Sequence, residues 1–292
     1  MDPYQKAKSL SCWQQAVEPL PVSGGITNAN FVVAHRGANF FVRIGDDIPV
    51  HGVMRFNELA ASRAAHAAGI SPWVVHHEPG AIVFDFIEGH TLEAEEVRDP
   101  VNLERIVSLI RRCHRDLPRH FRGPALVFWV FQVVRDYAHT LVECDSRMLA
   151  RLPRLIDIAG QLELAIGAVE LVFGHNDLLA GNFIDDGARL WLFDWDYAGF
   201  NSPLFDLGGL ASNNELSVEQ EQWLLEAYFG KPADADLRRR YEAMKCASLL
   251  RESMWSMVSE IHLDIDFDYV AYTRSNLARF EHAWADFEDA YS

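Results

Sequence analysis

Hydrophobic positions follow two different rhythms along this chain. Near the start they come in short β-branched and aromatic runs, FVVA at 31–34 and FFVRI at 40–44, separated by the turn-rich HRGAN, a spacing that predicts an antiparallel hairpin. The SGGITNAN segment ahead of it reads as a glycine-bearing loop. From Val53 to Ala68 the sequence is Ala-rich with helical spacing, and Gly69 with Pro72 beyond it supplies the stop. AIVFDFI at 81–87 reads as a further strand. Past Glu88-Gly89 the rhythm lengthens, and helices are expected around 101–117, 129–149, 217–229, 235–262 and 268–290. The expected organisation is therefore α+β in two lobes: residues 1–88 with a small antiparallel sheet and one helix, and residues 89–292, mainly helical.

One stretch interrupts the helices. Within LVFGHNDLLAGNFIDDGARLWLFDWDYAGF at 171–200, NFI and RLWLF are strand-like, and Asp185-Asp186-Gly187 supplies the turn between them. The reversal returns Asn182 and Asp194 to the same end of this hairpin, with the HND loop directly before it.

Composition narrows the function. With 26 Lys+Arg against 42 Asp+Glu the formal net charge is −16, which argues against a nucleic-acid binder or an anionic membrane surface. The 49% hydrophobic content supplies a globular core rather than disorder. Cys12, Cys113, Cys144 and Cys246 lie far apart without CxxC spacing, so free thiols in a reducing, cytoplasmic setting are expected. Neither a signal-peptide core nor a membrane-spanning apolar run is expected, and there is no fixed-period repeat.

The candidate chemistry sits in the interrupted stretch. His175, Asp177 and Asn182, followed by Asp194 after a short strand, offer hard oxygens suited to a divalent metal and a carboxylate suited to a substrate hydroxyl. Magnesium keeps waters and substrate phosphates in its shell, so one Asn and one Asp suffice from the protein. Each residue alone is more often a loop polar group or a cap; the spacing and order together carry the signal. HNDLLAGN at 175–182 resembles the catalytic loop of protein-kinase-like phosphotransferases, in the form used by choline/ethanolamine kinases and aminoglycoside phosphotransferases, and FDWDYAGF at 193–200 resembles their metal-binding segment. The resemblance implies a two-lobed protein-kinase-like fold, ATP and Mg2+ as cofactors, Asp177 as catalytic base, Asn182 and Asp194 as metal ligands, and His175 as a structural brace.

The N-terminal part extends the resemblance. Gly24, Gly25, Thr27 and Asn28 lie in a loop where missing Cβ atoms let backbone N–H groups approach phosphate, although glycine pairs are also ordinary turns. GGITNANF is similar to the GGxTN loop of choline kinases. Arg43 and Glu58, taken alone, read as a strand-end arginine and a helix-face glutamate; in the family frame they are the phosphate-contacting cation and its helix partner. AIVFDFIEG resembles the hinge that meets adenine, implying contacts near Asp85, Phe86 and Ile87. Asp206 in SPLFDLGG matches the buried aspartate that steadies the catalytic loop, a structural role. SLLRESMWSMVSE at 248–260 and FDYVAYTRSNLARF at 267–280 resemble the C-terminal helices of bacterial choline-kinase-like proteins.

For the acceptor, aromatic faces with nearby carboxylates suit a small cation. Asp196, Tyr197, Glu252 and Trp255 are the candidates, the last two sharing a helix face three residues apart. On an amphipathic helix Trp255 could equally be core and Glu252 a solvated charge. Eukaryotic choline kinases place tryptophans at both positions, and here the first is Glu252, which suits a hydrogen-bonding ammonium. The expected activity is phosphorylation of the hydroxyl of choline or a related amino alcohol such as ethanolamine. The alternative is an aminoglycoside, thiamine or sugar-like acceptor on the same fold.

Overall fold

The computed structural model describes residues 2–22, 28–263 and 267–291. After a short helix, α1 (Pro3–Lys8), strands β1 (Leu20–Val22), β2 (Ala29–His35) and β3 (Ala38–Ile44) lead to helix α2 (Arg55–Ala67). Strands β4 (Val74–Glu78) and β5 (Ala81–Asp85) complete an antiparallel sheet of order β1-β2-β3-β5-β4. The β2–β3 hairpin turns at Arg36 and Gly37, both at positive φ, so HRGAN forms the turn that its composition indicates. Val33, Val42 and Val83 seal the sheet on one side, while Ile82 and Phe84 pack with Phe193 on the other.

The chain then leaves this sheet. β6 (His90–Thr91) joins a different one, pairing with β8 (Phe183–Asp185), which in turn pairs with β9 (Leu190–Leu192) across the Asp185-Asp186-Gly187 turn. Helices α3 (Ala94–Val97) and α4 (Pro100–Asp116) follow, then α5 (Val130–Glu143) and α6 (Leu152–Ile166). β7 (Val172–Gly174) pairs with β10 (Gly199–Asn201), bracketing the candidate loops. Helices α7 (Pro203–Asn213), α8 (Val218–Phe229), α9 (Ala235–His262) and α10 (Tyr269–Tyr291) complete the chain. α9 is buried almost all round between Tyr241 and Ser259, with α5, α6, α7 and α10 packed against it. Local signals set the ends: Asp99 caps α4 ahead of Pro100, and Ser217 forms a capping box with Gln220 at α8.

One expectation needs correction, and other elements were not foreseen. The single helix expected over 129–149 ends at Glu143, where Asp145 turns left-handed, and a separate α6 follows with Pro153 in its first turn. That proline opens a helix rather than breaking one. The Gly-Gly of SPLFDLGG lies inside α7, where a Cβ on Gly208 would come within 2.9 Å of the Lys245 Cα. Glycine there permits close approach of α7 to α9 rather than a break. β4, with its paired histidines and a register shift between Val74 and His76, carries little β pattern and was not expected. All four cysteines are free, Cys113 and Cys246 being buried. Among the described residues no helix is long and apolar enough to cross a membrane.

Candidate active site

β3 places Arg43 under the face of α2, where its Nη1 donates to Glu58 Oε1 at 2.8 Å. The same nitrogen reaches Asp194 Oδ1 at 2.8 Å and Asp196 Oδ1 at 3.1 Å. Arg55, at the start of α2, adds a second cation: its Nη1 donates to Glu58 Oε2 at 2.6 Å and Asp196 Oδ1 at 2.7 Å, and its Nη2 to Asn28 Oδ1 at 2.6 Å. Asn28 Nδ2 closes the ring on Asp196 Oδ2 at 3.0 Å. Two guanidinium groups therefore face three carboxyl groups, and burial with the Glu58 and Asp194 charges pushes Asp196 up to about 7. Buried charges of this kind persist only when multiply paired. Gly24, Gly25 and Thr27 lie outside the described residues.

The catalytic-loop segment is held from behind by Asp206. Its carboxylate accepts the backbone N–H of His175 at 2.8 Å and of Asn176 at 2.7 Å, and His114 Nε2 bonds it at 2.8 Å. Burial works to raise this carboxyl, but the hydrogen bonds from His114 and from the His175 backbone N–H hold the group below its usual range. Asn176 adopts φ +66, a left-handed geometry rare outside glycine, and its side-chain amide ties the loop to the Tyr197 carbonyl at 2.9 Å. His175 Nε2 bonds the Phe193 carbonyl at 2.8 Å, so that nitrogen carries the proton, and burial keeps the ring neutral by lowering its pKa.

Asn182 and Asp194 meet at the hairpin end, with Phe193 N donating to Asn182 O at 2.9 Å. The Asn182 amide donates through Nδ2 to the Asp177 carbonyl at 2.8 Å, which turns its Oδ1 outward as an oxygen donor. Asp194 also sits at positive φ, +67. Burial would push its carboxyl up, yet the charge and hydrogen bond of Arg43 hold it down and ionised. The neutral amide oxygen of Asn182 and the ionised carboxylate of Asp194 are hard donors that fit a divalent cation taking its remaining ligands from phosphates and water. Among the described residues no three His, Cys, Asp or Glu side chains form an all-protein cage. Asp177 lies nearby, partly exposed. Removal from bulk water pushes its carboxyl up to about 8; the Glu252, Asp194 and Asp196 carboxylates add to this, against the charge of Arg251.

A cleft of about 460 Å³ joins these groups. Arg43, Asp177, Asn182 and Asp194 line it together with Glu252, Trp255 and Tyr272. Glu252 accepts from the Tyr272 hydroxyl at 2.8 Å and from Arg251 Nη1 at 2.9 Å. Trp255 Nε1 donates to the Tyr197 hydroxyl at 2.8 Å, and the Arg251 guanidinium stands 4.4 Å over the Tyr197 ring. Two expected placements differ. Asp196 faces Arg43 and Arg55 rather than the acceptor wall, held there by both guanidinium groups. Asp85, Phe86 and Ile87 do not line the cleft, and the N–H groups of Asp85 and Phe86 are taken by the Trp73 and Asn39 carbonyls. Arg55, Asn176, His114, Arg251 and Tyr272 join the site without a sequence signal of their own. Each acquires its place through a partner in another element.

Comparison with known proteins follows this geometry. The family model of choline/ethanolamine kinases matches residues 20–224. A "Protein LicA" from Haemophilus influenzae is 27% identical over 86% of this chain and 76% of its own length. A "Probable ethanolamine kinase" from Arabidopsis thaliana is likewise 27% identical, over 86% of this chain and 75% of its own. The crystal structure of a choline/ethanolamine kinase family protein from Mesorhizobium loti superposes with a TM-score of 0.77 at 29% identity, covering 96% of this chain and 92% of that one. The architecture is thus the two-lobed, protein-kinase-like α+β fold. The chain belongs to the choline/ethanolamine kinase family of phosphotransferases, whose acceptor is an alcohol group.

Proposed function

We propose that this protein is an ATP- and Mg2+-dependent kinase that phosphorylates the hydroxyl of choline or a related amino alcohol, ethanolamine among them. The observation that supports it is a single cleft bringing the Arg43 and Asp194 cluster, Asp177 and the Glu252, Trp255 and Tyr272 wall together. Lobes of residues 1–88 and 89–292 would enclose the nucleotide, with the glycine loop Gly24, Gly25 and Thr27 as its further contact. Four free thiols fit a cytoplasmic setting.

In this reading Glu252 and the aromatic wall hold the acceptor's ammonium, pointing its hydroxyl toward Asp177. Asp177 takes the hydroxyl proton as the acceptor oxygen bonds to the γ-phosphorus and the bond from that phosphorus to the departing ADP oxygen breaks. Asn182 and Asp194 hold magnesium, which supplies charge neutralisation at the phosphates. Arg43, braced by Glu58, steadies phosphate oxygens with a fork that is charged at every working pH. His175 and Asp206 keep the loop in register.

The test is ADP release from Mg-ATP with a panel of choline, ethanolamine, thiamine, an aminoglycoside and a sugar. Stimulation by an amino alcohol well above the rest is expected. Stimulation by the aminoglycoside, thiamine or the sugar alone would replace the acceptor assignment.

A further inference from the structure

His51 belongs to the segment between β3 and α2, yet it is 3% exposed and buried against α5 and α9. A one-turn 3-10 helix, Pro49–His51, carries it there, and Gly52 at φ +71 turns the chain back so that Ile48 and Val53 bridge. Its ring stacks on Trp255 with centroids 4.9 Å apart and planes inclined by 29°, and meets Tyr137 edge-on at 5.6 Å. Both ring nitrogens are engaged, Nδ1 with the Tyr137 hydroxyl at 3.2 Å and Nε2 with Ser259 Oγ at 3.1 Å.

The proton inventory fixes the tautomer. Ser259 spends its hydroxyl proton on the Trp255 carbonyl at 2.8 Å, so toward His51 it can only accept. His51 therefore carries its proton on Nε2, and Nδ1 accepts from Tyr137. A neutral imidazole satisfies every group in this arrangement. Its ring also clamps the residue whose indole N–H reaches Tyr197 and whose side chain lines the cleft. The line from β3 through His51 and Trp255 to Tyr197 thus joins the segment that follows Arg43 to the wall facing Asp177.

We propose that His51 is a positioning residue for the acceptor: through Trp255 it sets the acceptor wall from the opposite lobe, without touching substrate itself. The inference rests on the acceptor-wall reading given above. Steady-state kinetics of the full chain, varying acceptor and ATP separately, test it in His51→Phe, which keeps a stacking ring but loses both hydrogen bonds, and His51→Gln, which keeps a donor near Nε2. For His51→Phe the acceptor KM should rise about tenfold while the ATP KM stays within about twofold, the size expected for lost buried hydrogen bonds. His51→Gln should recover part of that loss. An unchanged acceptor KM, or acceptor and ATP KM rising together, would overturn the proposal. If His51→Phe fails to fold, Ser259→Ala and Tyr137→Phe remove the same bonds from the far side and must show the same split. A readout independent of turnover is hydrogen exchange of the Trp255 indole N–H, followed by NMR. Faster exchange in His51→Phe is expected, and unchanged exchange contradicts the proposal even if wild type phosphorylates no amino alcohol, an outcome that would sink only the acceptor reading.

Discussion

The buried carboxylate of Asp206 accepts three hydrogen bonds, so Asp206→Ala would strand the His175 and Asn176 N–H groups and His114 at once. A loss of about 3–5 kcal/mol in a denaturant melt is expected, the range for breaking a buried ionic network. His51 gives a pH signature. Burial, with the nearby charges of Arg251 and His262, holds its pKa down at about 3 against an ordinary 6.5. The unfolded chain takes up this proton near pH 6.5 and the folded chain only near 3. Between those values the group therefore costs the folded state about 1.4 kcal/mol per unit fall in pH. The stability of His51→Phe should fall less steeply than that of wild type between pH 6 and 4.5, and parallel slopes would refute the assignment. At this scale the convergence of Asp177, Asn182 and Asp194 on one cleft was legible in sequence. Asp196 was misplaced because its partners, Arg43 and Arg55, lie far from it in sequence. Arg55 and Arg251 were missed because an arginine on a helix looks solvent-facing until its distant carboxylate or aromatic partner is known.

Among elements, the packing of α7 on α9 turns on one hydrogen atom. A Cβ at Gly208 would meet the Lys245 Cα at 2.9 Å and N at 3.1 Å, both backbone atoms that cannot swing aside. Gly208→Ala should destabilise by about 1–3 kcal/mol through overpacking, measurable as a lowered denaturation midpoint. Gly209, whose Cβ would lie 3.6 Å from Ser248 Oγ, should tolerate alanine far better. The β2–β3 hairpin, α2, β5 and the β8–β9 hairpin could be read because their period and turn residues agree. α6 and α7 could not, since Pro153 and the Gly208-Gly209 pair carry the same symbols as breaks; only tertiary contact makes them a helix start and a close approach.

For the whole molecule the net charge of −16 sets a background field that repels nucleotide and draws in cations. In the proposed reading a nucleotide would bind where magnesium on Asp194 and Asn182 offsets that field, with Arg43 beside it. A cationic acceptor gains from the same field, so its KM should rise on the order of threefold between low salt and 0.2 M, beyond the change for a neutral acceptor analogue. A salt-independent acceptor KM would show that the field plays no part. The most direct test of the central claim is phosphorus NMR of the product formed from Mg-ATP with ethanolamine and with choline, using wild type and Asp177→Asn. The account predicts ADP and a phosphomonoester on the alcohol oxygen with wild type, and a rate reduced about 10²–10⁴-fold in the variant, as for loss of a general base. Inorganic phosphate as the only product, or a phosphomonoester formed equally fast by Asp177→Asn, would contradict it.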